Sequence, residues 1–246
     1  ELHRIMTANT DAEKYSGDFR KGDVFVTDHI DGEIAHIPPN WVEVEKLMGD
    51  LCDFANNDTK FIHPIIKASI IHFMIGFIHP FKDGNGRIGR MLITLMLWKS
   101  GIISAPHFYI SGYFEDHKDE YIDTMRQVSA KGEWTQWCVF FLSAVESQAI
   151  RNLTIAENIR TLYEEMKQVF ADTLSSKWSM NALDFVFSNP IFRNNKFTSN
   201  AGIPVPTAAR FTRALLDNKI IHTLEEASGR RPALYSFEPL MNLLRV

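Results

Sequence analysis

Residues 65–78 form an apolar run in which Lys67 and His72 are the only ionisable side chains. Its hydrophobic residues fall on every side at helical spacing, so a helix here has no solvent face and belongs in the centre of a fold. Fourteen residues are too few to cross a bilayer. Other elements of the chain must therefore cover this helix. Gly84 and Gly86 interrupt the pattern, after which residues 87–99 read as a further buried helix, with Met91, Leu92 and Leu95 as its apolar face. Two buried helices joined by a short polar loop constrain the body to be mainly α.

The covering elements can be read on either side. Two β-prone runs, residues 24–27 and 33–37, flank Asp31-Gly32, a dipeptide suited to a tight hairpin turn, and Pro38-Pro39 stops the second. Asn40 is placed to cap a helix carrying Val44, Leu47, Met48, Leu51 and Phe54. Amphipathic helices are expected at about 112–130 and 133–170. From Trp178 the pattern changes: a helix at 180–187, Asn189-Pro190, a helix at 206–216, then strands at 220–224 and 233–237 joined through Ser228-Gly229-Arg230-Arg231. That order resembles a winged-helix domain, the alternative being a plain α+β cap.

Charge separates the same two parts. The net charge of −4 hides −8 over residues 1–174 and +4 over 175–246, which suggests two modules with different partners. Ordinary globular composition, 45% apolar and 23% charged, excludes a disordered or collagen-like chain. Two cysteines, Cys52 and Cys138, are too few for a disulfide framework and point to a reducing, cytoplasmic setting. Neither a signal peptide nor a membrane partner is expected. Because the chain begins at Glu1 rather than Met, further sequence is expected upstream.

Chemistry concentrates in the loop between the two buried helices: His79-Pro80-Phe81-Lys82-Asp83-Gly84-Asn85-Gly86-Arg87-Ile88-Gly89-Arg90. It delivers its residues to a helix N-terminus, where unpaired amides and the helix dipole favour an anion. Gly84 and Gly86 allow close approach of backbone to phosphate. Arg87 and Arg90, three apart, are placed to reach over that N-terminus toward a polyphosphate, and on a buried helix they are expected to be buried themselves and so to need an anion. Asp83 suits a magnesium ion on the same phosphates, with Lys82 as a competing ion-pair partner. His79 is a base of suitable pKa. No Gly-Lys-Ser/Thr follows the glycines, so this is not a Walker A loop, and a helix rather than a strand precedes it, so it is not a Rossmann fingerprint. His63 and His72 are read as structural, since no Cys or carboxylate completes a metal-ligand set with His79.

These residues resemble the Fic family, whose His-Pro-Phe-x-Asp-Gly-Asn-Gly-Arg-x-x-Arg signature matches His79 to Arg90 at all nine specified positions. The likeness extends over roughly residues 1–165. Gly17-Asp18-Phe19-Arg20 resembles the family's Gly-x-Phe-Arg element, and the hairpin ending at Pro38-Pro39 its flap. His63-Pro64 and His72 stand at expected places, while Ser111-Gly112-Tyr113 and Tyr121 fall where the family has adenine-proximal tyrosines. The resemblance implies a mainly α, Fic-type helical core with a β-hairpin flap over residues 1–172. A small winged-helix (α+β) domain would follow over 173–246, similar to those that many bacterial Fic proteins append.

The implied activity is transfer of AMP from ATP to a Tyr, Thr or Ser hydroxyl of a target protein, with release of pyrophosphate. His79 would deprotonate the hydroxyl, Asp83 would bind Mg²⁺, and Phe81 would anchor the loop. Gly84, Asn85, Gly86, Arg87, Ile88, Gly89 and Arg90 would hold the nucleotide, with Arg87 on the β-phosphate and Arg90 on the γ-phosphate. Tyr113 and Tyr121 would lie near adenine. A target protein would dock on the flap. A homodimer and an inhibitory helix or separate antitoxin stay open. The family's inhibitory Ser/Thr-x-x-x-Glu-Gly/Asn motif is missing here: Leu153 stands four before Glu157-Asn158, where the motif needs Ser or Thr. An Arg90 left uncovered would be free for the γ-phosphate, and this form would be derepressed. The alternative function is a nucleotide-sensing regulator that binds DNA through the tail. Arg210, Arg213, Arg230 and Arg231 allow that reading without favouring it.

Overall fold

The structure, a computed structural model, describes residues 1–27, 32, 34–57 and 61–244. It divides into two compact units, Glu1–Ile150 and Arg151–Val246.

In the first unit, α1 (Leu2–Thr7) leads through a 3₁₀ turn at Glu13–Tyr15 to the paired strands β1 (Val26–Thr27) and β2 (Ile34–His36). They are antiparallel, with Val26 opposite His36 and Thr27 opposite Ile34. Of the expected turn, Gly32 has the left-handed φ of 73° that such turns require, whereas Asp31 and the strand residue Glu33 lie outside the described residues. The Asn40 side chain caps as anticipated, accepting the Val42 amide at 3.0 Å, and a 3₁₀ turn then runs into α2 (Val44–Asn56).

Helix α3 (Pro64–Ile78) spans the apolar run, and α4 (Asn85–Lys99) follows the polar loop. They pack on each other between two apolar clusters. Val44, Leu51, Ile71, Ile75, Ile78, Phe81 and Ile88 form one. Ala68, Phe73, Ile93, Leu97, Phe114, Trp137 and Phe141 belong to the other. Placing α3 between both clusters buries side chains on all its sides, which is what its composition demands.

The expected single helix at 112–130 is two: α5 (Ser111–Asp116) and α6 (Lys118–Lys131), broken at His117 (φ −119°, ψ 38°). The His117 ring stacks on Tyr113 with centroids 4.0 Å apart. Amphipathic periodicity continues across such a break and does not reveal it. Helix α7 (Trp134–Leu174) follows, and the division between the units falls inside it. The composition changes later, at Trp178, but Leu162, Met166, Phe170 and Leu174 already belong to the core of the second unit.

The second unit continues with α8 (Ser179–Ser188), β3 (Ile191–Arg193), α9 (Asn194–Asn200), α10 (Val205–Asp217), β4 (His222–Glu225), β5 (Leu234–Ser236) and α11 (Glu238–Leu244). Its antiparallel sheet has the order β3-β5-β4. Strand β3 and helices α9 and α11 have no counterpart in the sequence reading. β3 is three residues beside Pro190 and becomes a strand only by pairing with β5, Phe192 opposite Tyr235. No helix of the described residues is long and apolar enough to cross a membrane.

Candidate active site

His79 sits at the C-terminal cap of α3, in the left-handed region at φ 50°, ψ 58°. Few non-glycine residues adopt that conformation, and it persists where neighbours over-determine it. Here they do. The His79 amide donates to the Ile75 carbonyl at 3.0 Å, and its carbonyl accepts Arg20 Nε at 2.9 Å. Arg20 is buried (3% exposed); its guanidinium also donates to the carbonyls of Gly22, Ile78 and Pro39, while its own amide donates to the Pro80 carbonyl at 2.9 Å. One side chain thus ties the end of the hairpin segment to the turn that carries the candidate base. His36 adds a second tie, a hydrogen bond between Nε2 and the Phe77 carbonyl at 2.8 Å.

Burial pushes the His79 imidazole below its usual pKa, with the charges of His36 and Arg20 adding to the effect and a hydrogen bond to the Gly76 backbone opposing it. The ring is therefore neutral, and able to accept a proton, near pH 7.

The loop is closed by Asn85, whose side chain accepts the Phe81 amide (2.9 Å) and donates to the Phe81 carbonyl (2.8 Å). This leaves Asn85 a backbone role in any cradle. Gly84 caps α4 at φ 85°, and a Cβ there would come within 2.5 Å of Met6 Cε. The first amides of α4 have no intrahelical partner and face the loop. Arg90 lies over this N-terminus, its Nη1 only 3.2 Å from where a Gly86 Cβ would stand. Gly86 thereby lets the guanidinium reach the amides.

The arginines differ from expectation in one respect. They are not buried: Arg90 is half-buried, and the Arg87 side chain is 42% exposed and donates to Asp83 Oδ2 at 2.8 Å, because α4 turns Ile88, Ile93 and Leu97 inward and leaves the loop side open, with Met91 exposed against expectation. Asp83 Oδ1 accepts the Gly84 amide at 2.6 Å. Lys82 does not compete for Asp83, since its ammonium lies over the Tyr15 ring, 4.5 Å from the centroid. Among the described residues Arg90 has no carboxylate partner.

These groups converge. A cleft of about 300 Å³ is lined by His79, Lys82, Asp83, Gly84, Asn85, Gly86, Arg87 and Arg90. Ile88 and Gly89 do not line it. Ile88 is buried in the α2/α3 cluster, and a Cβ on Gly89 would come within 3.0 Å of His72 Nδ1. Tyr113 and Tyr121 do not line it either; the Tyr121 hydroxyl is hydrogen-bonded to His72 Nε2 at 3.0 Å and lies within reach of the Arg90 charge. His63 caps α3, its Nδ1 accepting the Ile65 amide at 3.3 Å. Among the described residues no group of three or more His, Cys, Asp or Glu side chains could hold a metal. The sequence reading missed His3, which packs flat on Phe81 and meets the Asp83 carbonyl at 3.0 Å. No local pattern marks a contact between residues 80 apart.

Burial lowers the His72 pKa to about 4, with Arg90's charge adding to it, and raises that of Tyr121 to about 12. The unfolded chain binds a proton on His72 at about pH 6.5, which the folded chain refuses down to about 4. Stability from this group is complete above the upper value and falls with pH through that window, by about 3 kcal/mol in all. His72→Gln is expected to flatten the decline in urea midpoint between pH 7 and 4.5, leaving the smaller slope that His79 contributes in the same direction. An unchanged slope would place the acid sensitivity elsewhere.

Comparison with known proteins bears on this site. The sequence model of the Fic/DOC family matches residues 1–97. That stretch holds the whole loop, and it carries a Fic/DOC family domain. "Protein adenylyltransferase Fic" of Nematostella vectensis is 34% identical over 122 residues, 49% of this chain and 26% of its own length. The protein of the same name from Aedes aegypti is 29% identical over 147 residues, 59% of this chain and 26% of its own. "Protein adenylyltransferase fic-1" of Caenorhabditis elegans is 36% identical over 102 residues, 41% and 18% respectively. The matches thus span only 18–26% of these relatives' lengths. The crystal structure of a Fic family protein from Desulfovibrio desulfuricans G20 aligns with 96% of this chain and 66% of its own, with a TM-score of 0.54 and 22% identity, a likeness of fold alone.

Proposed function

We propose that the chain is a protein adenylyltransferase that moves AMP from ATP to a hydroxyl side chain of a target protein. The observation that carries this reading is the convergence, in one cleft, of a neutral imidazole, the open N-terminus of α4 and two arginines. His79 takes the proton of the target hydroxyl as its oxygen attacks the α-phosphorus. The bond to the β-phosphate oxygen breaks, and pyrophosphate leaves. The amides of Asn85 and Gly86 and the Arg90 guanidinium face the triphosphate and offset the charge that moves onto the leaving group. Asp83 fits a magnesium ion, being a half-exposed carboxylate at the cleft, and a hard cation bound to phosphates needs only one or two such ligands. When bound, the ion would neutralise phosphate charge. Arg87 must then release Asp83 Oδ2, which frees its guanidinium for the β-phosphate.

The exposed apolar side chains of Phe25, Ile34 and Ile37 beside the paired strands support docking of the target there. The helix–strand–helix–helix–strand–strand order of the second unit supports a winged helix. Two of its arginines, Arg193 and Arg231, are drawn onto Glu225 at 3.1 and 2.8 Å, which speaks against DNA as its partner.

Labelled ATP tests the proposal. With Mg²⁺ and a cell extract, label at the α-phosphate is expected to enter protein while label at the γ-phosphate is not. Incorporation from the γ position alone would assign a phosphotransferase instead.

A further inference from the structure

His3 is 3% exposed although it belongs to a helix of six residues near the start of the chain. Each part of its ring is used. Nδ1 accepts the Gly17 amide at 2.9 Å, the group at Nε2 meets the Asp83 carbonyl at 3.0 Å, and the ring stacks on Phe81 with centroids 3.9 Å apart and planes 8° from parallel. Nδ1 must present its lone pair to the Gly17 amide, so the ring is neutral with its proton on Nε2, and that N–H donates to the Asp83 carbonyl. The acceptor matters more than the bond. In a trans peptide the carbonyl and the next amide point opposite ways in one plane. A carbonyl of Asp83 drawn inward to His3 turns the Gly84 amide outward, where Asp83 Oδ1 receives it at 2.6 Å. The same peptide plane sets the left-handed cap from which α4 begins.

We propose that His3 is a positioning residue of the nucleotide cradle. By pinning the Asp83 carbonyl it aims the Asp83–Gly84 peptide and the first turn of α4 at the phosphates. The inference rests on the reading above that this cleft holds a nucleotide. A side chain that merely filled the core beside Phe81 would be replaceable by phenylalanine, which keeps a ring of similar width and loses both hydrogen bonds.

Three chains decide it: the unaltered protein, His3→Phe and His3→Gln, whose amide can still donate to the Asp83 carbonyl. Binding of MgATP is measured by calorimetry, kinetics with α-labelled ATP, and the Gly84 amide by ¹H–¹⁵N spectroscopy without nucleotide. His3→Phe is expected to bind MgATP about tenfold more weakly and to raise KM by a similar factor, with kcat within about threefold, the size of one positioned hydrogen bond. His3→Gln should recover most of that affinity. Should His3→Phe fail to fold, the flexible His3→Met takes its place. Affinity equal to that of the unaltered protein in His3→Phe overturns the proposal, as does equal weakening in both variants. If the unaltered protein binds no MgATP at millimolar concentration, the adenylyltransferase reading fails instead. The Gly84 resonance then decides the clamp: moved by His3→Phe and restored by His3→Gln supports it, unmoved refutes it.

Discussion

His79→Ala is expected to lower AMP transfer by about 10²–10⁴-fold while MgATP binding stays within a few-fold of the unaltered protein. The asymmetry follows from the site. In the proposed reading phosphate contacts come from the α4 N-terminus, Arg87 and Arg90, whereas His79 touches only the proton in flight. The pH profile adds a second check. Because burial holds the imidazole below its ordinary range, the acid limb of the rate should fall below about pH 6.5, the free imidazole value, with activity lost as the ring protonates. Equal labelling of proteins by His79→Ala and by the unaltered chain would remove His79 from the chemistry. A rate that falls together with ATP affinity would reassign it to binding.

Arg20→Ala should cost about 3 kcal/mol or more, a large part of the 5–15 kcal/mol typical of a folded domain. The carbonyls of Gly22, Ile78, His79 and Pro39 lose their shared donor, and water cannot easily replace it at a site where the arginine side chain is 1% exposed. Arg20→Lys keeps the charge but not the planar fork and should fall between the two. Urea unfolding at pH 7 measures this, with His79 activity followed in parallel. Stability near that of the unaltered protein in Arg20→Ala would show that the turn at His79 holds itself, and that the left-handed conformation there needs no external tie.

The two substitutions mark where local sequence stops being informative. Helix α3 was legible to within a residue, because a run apolar on every face has one stable placement and His79-Pro80 ends it. The loop was legible as a turn that brings its polar residues to a helix start, because the glycines interrupt two apolar runs there. The adjoining single helix at 112–130 was not divided correctly, since hydrophobic spacing is indifferent to the break at His117. The exposure of Arg87 was misjudged because spacing shows that a helix has a buried face without showing which residues stand opposite it.

The sequence by itself determined which segment gathers the candidate residues, that their types suit an anion and that helices surround it. Those properties depend on residue types within a dozen positions of one another, and local sterics and hydrophobic period express them directly. Only the tertiary structure decided what holds that segment in shape. Arg20 reaches His79 across 59 positions and His3 reaches Asp83 across 80, contacts that leave no periodic trace. It also decided that Arg87 rests on Asp83 while Arg90 lies over Gly86, a division of labour between two like residues set by which face of α4 the core covers. Hydrogen bonds to carbonyls are available everywhere along a chain, so sequence cannot say which will be used. Packing settles that, because only the folded backbone brings the buried guanidinium of Arg20 to the turn at His79 and the imidazole of His3 to the turn at Asp83.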